Sequence, residues 1–218
     1  MLTERNWIIA HRGDWWPIPE AQNSLAAIEA AFQAGYSVET DVRRQPDGRL
    51  VLSHDPLIAG KEYPPFYSLV DLMGRYSEAA LFLNVKEPYT EWLITNPFLV
   101  REMQHRVYVF DFGLCNADPF AVARDPMLNA LQLLKRVSDR VENESETASW
   151  TGTWMDQWDS DWVDPVIINY YKKKGPVFLV SPELHGRSLS QFHLSQWTEA
   201  SGLCTDFPHA VQTWRSAL

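Results

Sequence analysis

The sequence predicts a single (β/α)8 barrel, a TIM barrel that is compact and somewhat irregular and that spans residues 1–218. Short apolar runs alternate with helical patterns along the whole chain, which is typical of parallel βα units. Eight such runs fit a closed barrel better than an open sheet. A chain of 218 residues, 45% of them hydrophobic, can bury one large core. No Gly/Ser linker, domain boundary or internal repeat divides the sequence.

Each predicted strand is a short apolar run bounded by polar or turn-forming residues. After the second run, the turn Pro46-Asp47-Gly48 leads into a short extended segment, Arg49 to Ser53. The eight predicted strands are Trp7 to Ala10, Ser37 to Arg43, Leu81 to Val85, Val107 to Phe112, Leu131 to Val137, Gly152 to Met155, Val177 to Val180 and Leu203 to Thr205.

The helices are predicted from their apolar spacing and from residues that begin or end helices. Asn23 or Ser24 can cap the first helix, and Gly35 can end it. The polar, acidic stretch from Asp139 to Thr147 is predicted to be a mobile loop. The other predicted helices lie near Leu69 to Met73, at Trp92 to Met103 with a break at Pro97, at Val163 to Lys174, at Ser190 to Ser201, and around Val211 and Trp214.

The charge balance argues against nucleic acid as a partner. The chain has 19 basic and 28 acidic residues, a net charge of −9, whereas nucleic-acid binding depends on clustered Lys and Arg. Cys115 and Cys204 both follow Gly-Leu, and we expect buried thiols rather than a disulfide or a zinc site. We see no signal peptide and no apolar run long enough to span a membrane, so we expect a cytoplasmic protein.

The second predicted strand carries two acids in a pattern that suggests a metal site. In Val38-Glu39-Thr40-Asp41-Val42, alternation places Glu39 and Asp41 on one face. In a parallel barrel, reactive groups gather at the carboxyl ends of the strands. Two like charges repel in such an enclosed mouth, and a hard cation with oxygen ligands removes this penalty. The alternative is an edge strand whose acids face solvent.

Histidines and a lysine follow other predicted strands. His54 shares its face with Leu50 and Leu52, so a structural histidine is the alternative to a catalyst. A lysine that points into a barrel needs an anionic partner. For Lys86 that partner can be a substrate phosphate or Glu39, or an acid that merely seals the barrel. The strand-end motifs are His11-Arg12-Gly13, His54-Asp55 and Asn84-Val85-Lys86.

The loop after the seventh predicted strand, Ser181 to Arg187, offers further polar side chains over the same mouth. We expect it to recognise substrate through Glu183 and His185, or else to be a turn in which Glu183 pairs with Arg187. Three tryptophans near the sixth strand are expected mainly to pack, although one of them can line the site. These are Trp154, Trp158 and Trp162.

Together these motifs resemble the glycerophosphodiester phosphodiesterase family, within the phosphatidylinositol-specific phospholipase C-like barrel superfamily. The resemblance is dense over residues 7–86 and returns only near the end of the chain. The matching motifs are His11-Arg12-Gly13, Gln22-Asn23-Ser24, Glu39-Thr40-Asp41-Val42, Asp47-Gly48, His54-Asp55, Asn84-Val85-Lys86 and Thr205-Asp206-Phe207-Pro208.

The resemblance implies a phosphoric diester hydrolase that acts on small glycerophosphodiester-like substrates. His11 and His54 would divide the general acid and base roles, with water or a neighbouring substrate hydroxyl as nucleophile. Glu39, Asp41 and Asn84 would hold a divalent cation, Mg²⁺ being expected first and Ca²⁺ as the alternative. The residues expected to bind substrate are Arg12, Lys86, Glu183 and His185.

Two departures from the family pattern bear on this expectation. Asn84 stands where the family usually has a third acidic ligand, and Gln22 replaces a glutamate, so metal affinity should fall. Asp111, Asp156 or Asp206 can compensate from other strand ends. The main alternative is a catalytically impaired barrel of the same superfamily that binds a phosphate ligand.

A different barrel enzyme is a third possibility. A metal-dependent sugar-phosphate isomerase or aldolase could use Lys86 for a Schiff base, but it leaves the two histidine motifs unexplained. A serine hydrolase finds no support, because there is no Gly-x-Ser-x-Gly elbow. The oligomeric state and the alcohol groups of the diester stay open.

Overall fold

The computed structural model describes residues 7–86, 106–111, 132–140, 150–189 and 197–217. Within these residues, eight parallel strands form one sheet in the order β1-β9-β8-β7-β6-β5-β4-β2, and pairing of β1 with β2 closes the barrel. The short β3 runs antiparallel beside β2. The strands are β1 Trp7–His11, β2 Ser37–Arg44, β3 Leu50–Leu52, β4 Leu81–Val85, β5 Val107–Phe110, β6 Gln132–Ser138, β7 Gly152–Asp156, β8 Val177–Val180 and β9 Gly202–Thr205. The predicted (β/α)8 barrel is confirmed.

Two of the described α-helices begin at capping residues. Ser24 accepts a hydrogen bond from the backbone N–H of Ala27 at 3.1 Å, and Asp164 accepts one from Ile167 at 2.8 Å. None of the described helices is long and apolar enough to cross a membrane. The described α-helices are α1 Leu25–Gln33, α2 Phe66–Arg75, α3 Pro165–Lys172 and α4 Pro208–Arg215. Three 3-10 helices lie at Pro19–Ala21, Pro182–His185 and Trp197–Glu199.

One predicted helix is wrong in its described part. Of Ser190 to Ser201, residues 197–201 are described, and only Trp197–Glu199 forms a single 3-10 turn. Ser201 instead enters the sheet, because its backbone N–H donates to Val177 and its carbonyl accepts from Trp7. The helix predicted from Trp92 to Met103, most of the loop predicted from Asp139 to Thr147, and Cys115 lie outside the described residues. Cys204 is a buried free thiol.

Side chains alternate between two apolar layers. One layer lies between the strands and the helices and includes Val38, Leu83 and Met73. The other fills the inside of the barrel with aromatic rings: Phe82 stacks on Tyr108 at 4.8 Å, and Phe178 stacks on Trp7 at 5.7 Å. Because the inward-facing residues further along most of the strands are polar, the fold places those polar groups together at the carboxyl ends of the strands.

Candidate active site

A cavity of about 450 Å³ opens at the carboxyl ends of the barrel strands. Its walls combine charged groups with an apolar floor that includes Phe110, Trp154 and Val180. Most of the side chains predicted to be functional line this one cavity, although they come from distant parts of the sequence. Those on its wall are His11, Arg12, Glu39, Asp41, His54, Asn84, Lys86 and His185.

The two acids of β2 face the inside of the barrel. Glu39 and Asp41 are 2% and 1% exposed, whereas Val38 and Val42 join the outer apolar layer. The alternation predicted from the sequence is therefore confirmed, and the alternative of a solvated edge strand is wrong. Burial of two neighbouring carboxyl groups is unfavourable unless positive charge compensates for it.

Two cationic side chains compensate for the negative charge of Asp41. Arg12 Nε lies 3.1 Å from Asp41 Oδ2, and Lys86 Nζ lies 3.1 Å from Asp41 Oδ1. Burial opposes ionisation of Asp41, but Lys86, Arg12 and a hydrogen bond from Asn23 outweigh it and lower the pKa of this carboxyl. The sequence analysis expected Lys86 to pair with a substrate phosphate, with Glu39 or with another acid of the barrel. In the structure its partner is an acid of the barrel, Asp41.

The segment Gln22-Asn23-Ser24 organises this pair from the start of α1. Gln22 Oε1 accepts a hydrogen bond from Arg12 Nη1 at 2.8 Å, and Asn23 Nδ2 donates to Asp41 at 3.0 Å. Asn23 also accepts from Thr40 Oγ1 at 2.7 Å while its φ of 60° lies in the left-handed region. The sequence analysis considered Asn23 as a helix cap and as part of a family motif, and it missed this contact with the acids.

Glu39 differs from Asp41 because no strong partner holds it. Burial, followed by the charge of Asp41, raises the pKa of Glu39 to about 7. His11 Nε2 is 3.9 Å from Glu39 Oε2, and this oxygen has no hydrogen-bond partner among the described residues. An additional positive charge beside Glu39 would therefore stabilise its ionised carboxyl group.

The predicted metal ligands fit a hard cation in their chemistry. Asn84 Oδ1, like Glu39 Oε2, is a buried oxygen without a hydrogen-bond partner in the described part of the chain. Asn84 lies directly beside Asp41 in the β2–β4 register. No group of three His, Cys, Asp or Glu side chains among the described residues could hold a metal, so the set has two acids and one neutral amide. These oxygen donors suit Mg²⁺ or Ca²⁺ but provide little charge.

The two histidines differ in how firmly they are held. His11 Nδ1 lies 2.6 Å from Asp206 Oδ1, which follows β9. His54 Nδ1 lies 2.9 Å from Asp55 Oδ1, and its side chain is 44% exposed, so it is not a packed core histidine. Burial is the main cause that lowers the pKa of His54. Sequence reasoning did not recognise Asp206 as the partner of His11.

The other candidate acids form an ion-pair cluster on β5, β6 and β7. Arg136 contacts both Asp111 and Asp156 at 2.5 Å, and Asp156 also contacts His185 Nε2 at 3.0 Å. Burial would lower the pKa of Arg136, but the two carboxylates raise it. Asp111 and Asp156 therefore bind Arg136, and Asp206 binds His11; that one of them completes the metal site stays a prediction. The sequence analysis missed Arg136.

The loop after β8 is arranged differently from the predicted turn. Glu183 contacts Ser181 and accepts hydrogen bonds from Thr205 Oγ1 at 2.5 Å and from the backbone of Asp206 at 3.3 Å. Arg187 instead contacts Asp161 and the backbone carbonyls of residues 157 and 160, so the predicted Glu183–Arg187 pair is wrong. Glu183 supports the strand end that carries Asp206 and does not lie on the cavity wall.

Of the three tryptophans, two reach the cavity. Trp154 stacks on Phe110 at 4.4 Å in the cavity floor, and Trp158 stacks on His185 at 3.8 Å. Trp162 donates a hydrogen bond from Nε1 to the backbone carbonyl of Asp156 at 2.9 Å. One tryptophan was expected to line the site, and two do so, although Trp154 also packs on Phe110.

The sequence comparison identifies the part of the chain that builds this wall. Residues 11–61, which include His11, Glu39, Asp41 and His54, match the profile of the glycerophosphoryl diester phosphodiesterase family. Over these residues the chain is similar to this family. No curated protein gives a significant match over the sequence. The family match therefore rests on the first barrel strands, where the acids and both predicted catalytic histidines lie.

Solved structures of phosphodiesterases have the same fold. A candidate glycerophosphodiester phosphodiesterase from Galdieria sulphuraria superposes with a TM-score of 0.72 at 15% identity, covering 97% of this chain and 98% of that one. A glycerophosphodiester phosphodiesterase from Agrobacterium tumefaciens gives 0.68 at 15% identity, covering 95% and 99%. A phosphodiesterase from Oleispira antarctica, solved with its product sn-glycerol-3-phosphate, gives 0.64 at 17% identity, covering 97% of each chain. At these identities the likeness concerns the fold.

Proposed function

We propose that the protein is a divalent-metal-dependent phosphodiesterase that hydrolyses small glycerophosphodiester-like substrates. One observation carries the proposal: the paired acids Glu39 and Asp41 share a single cavity with His11, which lies beside Glu39, and with the cations Arg12 and Lys86, which contact Asp41. Such a cavity offers positive charge to an anionic diester and imidazole for proton transfer. The match of residues 11–61 to the family profile and the phosphodiesterase fold of the structural neighbours support the same activity.

In the proposed reaction, His11 transfers a proton through Nε2. Asp206 is a hydrogen-bond acceptor at Nδ1, so it holds the ring proton there and leaves Nε2 free to take or give a proton inside the cavity. His54, on the cavity wall, takes the complementary role. Arg12 and Lys86 offset the charge that accumulates on the phosphoryl oxygens.

Glu39, Asp41 and Asn84 are the residues that would hold the divalent ion, which we propose to be Mg²⁺ or, alternatively, Ca²⁺. When bound, such an ion polarises a phosphoryl oxygen as a Lewis acid. The partnerless oxygens of Glu39 and Asn84 support this role. The raised pKa of Glu39 also supports a bound cation, because the positive groups of the protein do not outweigh the burial that opposes ionisation of this carboxyl group.

A second candidate function is a barrel that binds a phosphate ligand without turnover. Specific observations favour it: Asn84 and Gln22 are neutral, and Arg12 and Lys86 are both engaged by Asp41. Such a protein would bind a phosphate ester but would cleave no diester. The two functions differ in turnover, which the following experiment measures.

The test is hydrolysis of glycerophosphodiesters with added Mg²⁺ or Ca²⁺ and with chelator. We expect the native protein to be active with metal, and His11→Ala and His54→Ala each to lose about 100-fold or more in kcat. His209→Ala is the matched control, since His209 pairs with Asp14 at 2.7 Å and does not line the cavity. Unchanged activity in both cavity variants would refute the assignment, and binding without turnover by the native protein would favour the second candidate.

A further inference from the structure

The two histidines of the proposed reaction lie on backbone that is supported in different ways. His11 ends β1, which pairs with β9 on one side and with β2 on the other. His54 lies outside the eight barrel strands, two residues after the short β3. Residues 54–57 make no backbone–backbone hydrogen bond within the described part of the chain. The imidazole of His54 nevertheless lies on the cavity wall, so its position depends on other contacts.

Arg43 makes such a contact from β2. Its guanidinium donates to the backbone carbonyl of His54 from Nε at 3.1 Å and from Nη2 at 2.8 Å. A guanidinium is planar and permanently charged, so two of its donors on one oxygen fix the position of that oxygen better than a single donor does. Arg43 lies two residues after Asp41 on the same strand and, by alternation, on the same face. One strand therefore carries both the buried acids and the support of His54.

The residues beside His54 orient its ring. His54 Nδ1 lies 2.9 Å from Asp55 Oδ1, and Ser53 Oγ donates to the backbone carbonyl of Asp55 at 2.9 Å. The hydrogen bond from His54 is the main cause that lowers the pKa of Asp55, and the charges of Arg12 and Arg43 lower it further. The ionised carboxylate accepts from Nδ1, which leaves Nε2 as the ring nitrogen that can transfer a proton. The freedom that remains to this ring is that of its backbone, which Arg43 restrains.

We propose that Arg43 is a positioning residue for His54: by holding the His54 carbonyl, it places the imidazole for proton transfer. Arg43 itself does not line the cavity, so it should act on turnover rather than on substrate binding. A proton-transfer group must lie within about 2.6 to 3.2 Å of its partner, and a displacement of about 1 Å can reduce the rate about 100-fold. The inference rests on the proposed function for the role of His54, whereas the contact between the two residues can be tested without turnover.

The kinetic test compares two arginines of the same hairpin. We expect Arg43→Ala to lower kcat for a glycerophosphodiester about 10- to 100-fold and to change KM less than about threefold. Arg43→Lys should recover part of the loss, because an ammonium group keeps the charge and one donor to the carbonyl. Arg49→Ala is the matched control, since Arg49 contacts Asp47 at the turn, and it should keep near-native kcat. Equal kcat in the two alanine variants, or a loss that appears only in KM, would overturn the proposal.

A spectroscopic test examines the contact itself. In protein with ¹³C-labelled histidine carbonyls, the His54 resonance is the one that His54→Ala removes. We expect Arg43→Ala to move this resonance upfield, because the carbonyl loses both donors, and Arg49→Ala to leave it in place. An unmoved resonance in Arg43→Ala would rule out the contact, and a moved resonance with native kcat would rule out the positioning role. A moved resonance in a protein that hydrolyses no diester would refute the proposed function and leave the contact established.

Discussion

Asp206 Oδ1 lies 2.6 Å from Nδ1 of His11, and the two residues are 195 positions apart in the sequence. The contact joins the first barrel strand to the last, which are neighbours because β1 pairs with β9. Glu183 in turn accepts from Thr205 and from the backbone of Asp206. The orientation of one imidazole therefore depends on three separate segments of the chain.

Replacing Asp206 by Asn should reduce activity without unfolding the protein. An amide can present an N–H to Nδ1 and so favours the tautomer with its proton at Nε2, which cannot act as a base. We expect kcat to fall about 100- to 10,000-fold while the melting temperature changes little. The measurement is steady-state hydrolysis together with thermal unfolding.

Asp14→Asn is the control for that variant, because Asp14 makes a similar pair with His209 at 2.7 Å outside the cavity. We expect near-native kcat for it. If the two substitutions reduced kcat equally, His11 would not depend on Asp206 in the way inferred.

Glu39 should make the metal-free protein less stable as the pH rises. Its pKa is raised from 4.5 to about 7, first by burial and then by Asp41, so the folded state holds a proton that the unfolded chain releases. The free energy of unfolding should therefore fall as the pH rises from the unfolded to the folded value, by an amount on the order of 3 kcal/mol. In chelator, Glu39→Gln should match the native protein near about pH 5 and be more stable near about pH 8.

Urea unfolding at both pH values measures this difference. Glu62→Gln, at an exposed position, serves as the control and should follow the native protein at each pH. A native protein and a Glu39→Gln variant with the same pH dependence would show that Glu39 titrates normally.

Asn84→Asp should restore an acidic ligand beside Asp41. We expect Mg²⁺ to bind about tenfold more tightly, because a third charge is added, and the metal-free protein to melt at a lower temperature, because three buried carboxyl groups then repel one another. Melting temperature as a function of Mg²⁺ concentration checks both effects. Gln132→Glu adds the same charge at the opposite end of the barrel, and it should leave the Mg²⁺ dependence unaltered.

Gly13→Ala should strongly destabilise the fold. Gly13 has a φ of 93°, and an added Cβ would lie 2.7 Å from the backbone carbonyl carbon of Ala27 in α1. We expect a loss of about 2 to 4 kcal/mol in the free energy of unfolding. Gly60→Ala is the comparison: its φ is 80° and no atom lies within 4 Å of the new Cβ, so only about 1 kcal/mol should be lost. Similar losses would mean that backbone conformation, rather than the close approach to α1, sets the requirement.

Local patterns predicted much of the fold and of one half of the cavity. The strands at Leu81–Val85 and Val177–Val180 match their predicted bounds, and alternation along β2 correctly directs Glu39 and Asp41 inward. These features depend on neighbouring residues, which a sequence displays directly.

Features that depend on distant residues could not be predicted in this way. Arg136 is one charged residue within a strand, and only barrel closure reveals that it lies between Asp111 and Asp156. Glu183 and Arg187 are separated by one helical turn, but each finds a better partner on another segment. Ion pairs of this kind are decided by three-dimensional proximity, which composition and spacing do not contain.

Four aromatic rings fill the lower barrel and so restrict how small molecules reach the cavity. These are Trp7, Phe82, Tyr108 and Phe178. Because they pack against one another beneath the polar groups, the described part of the barrel leaves no passage along its axis through this layer. In the proposed reaction, reactant and product would then enter and leave by the cavity at the carboxyl ends of the strands, and a phosphomonoester product would occupy the place of the next diester. Competitive inhibition by product is the natural consequence of that shared entrance.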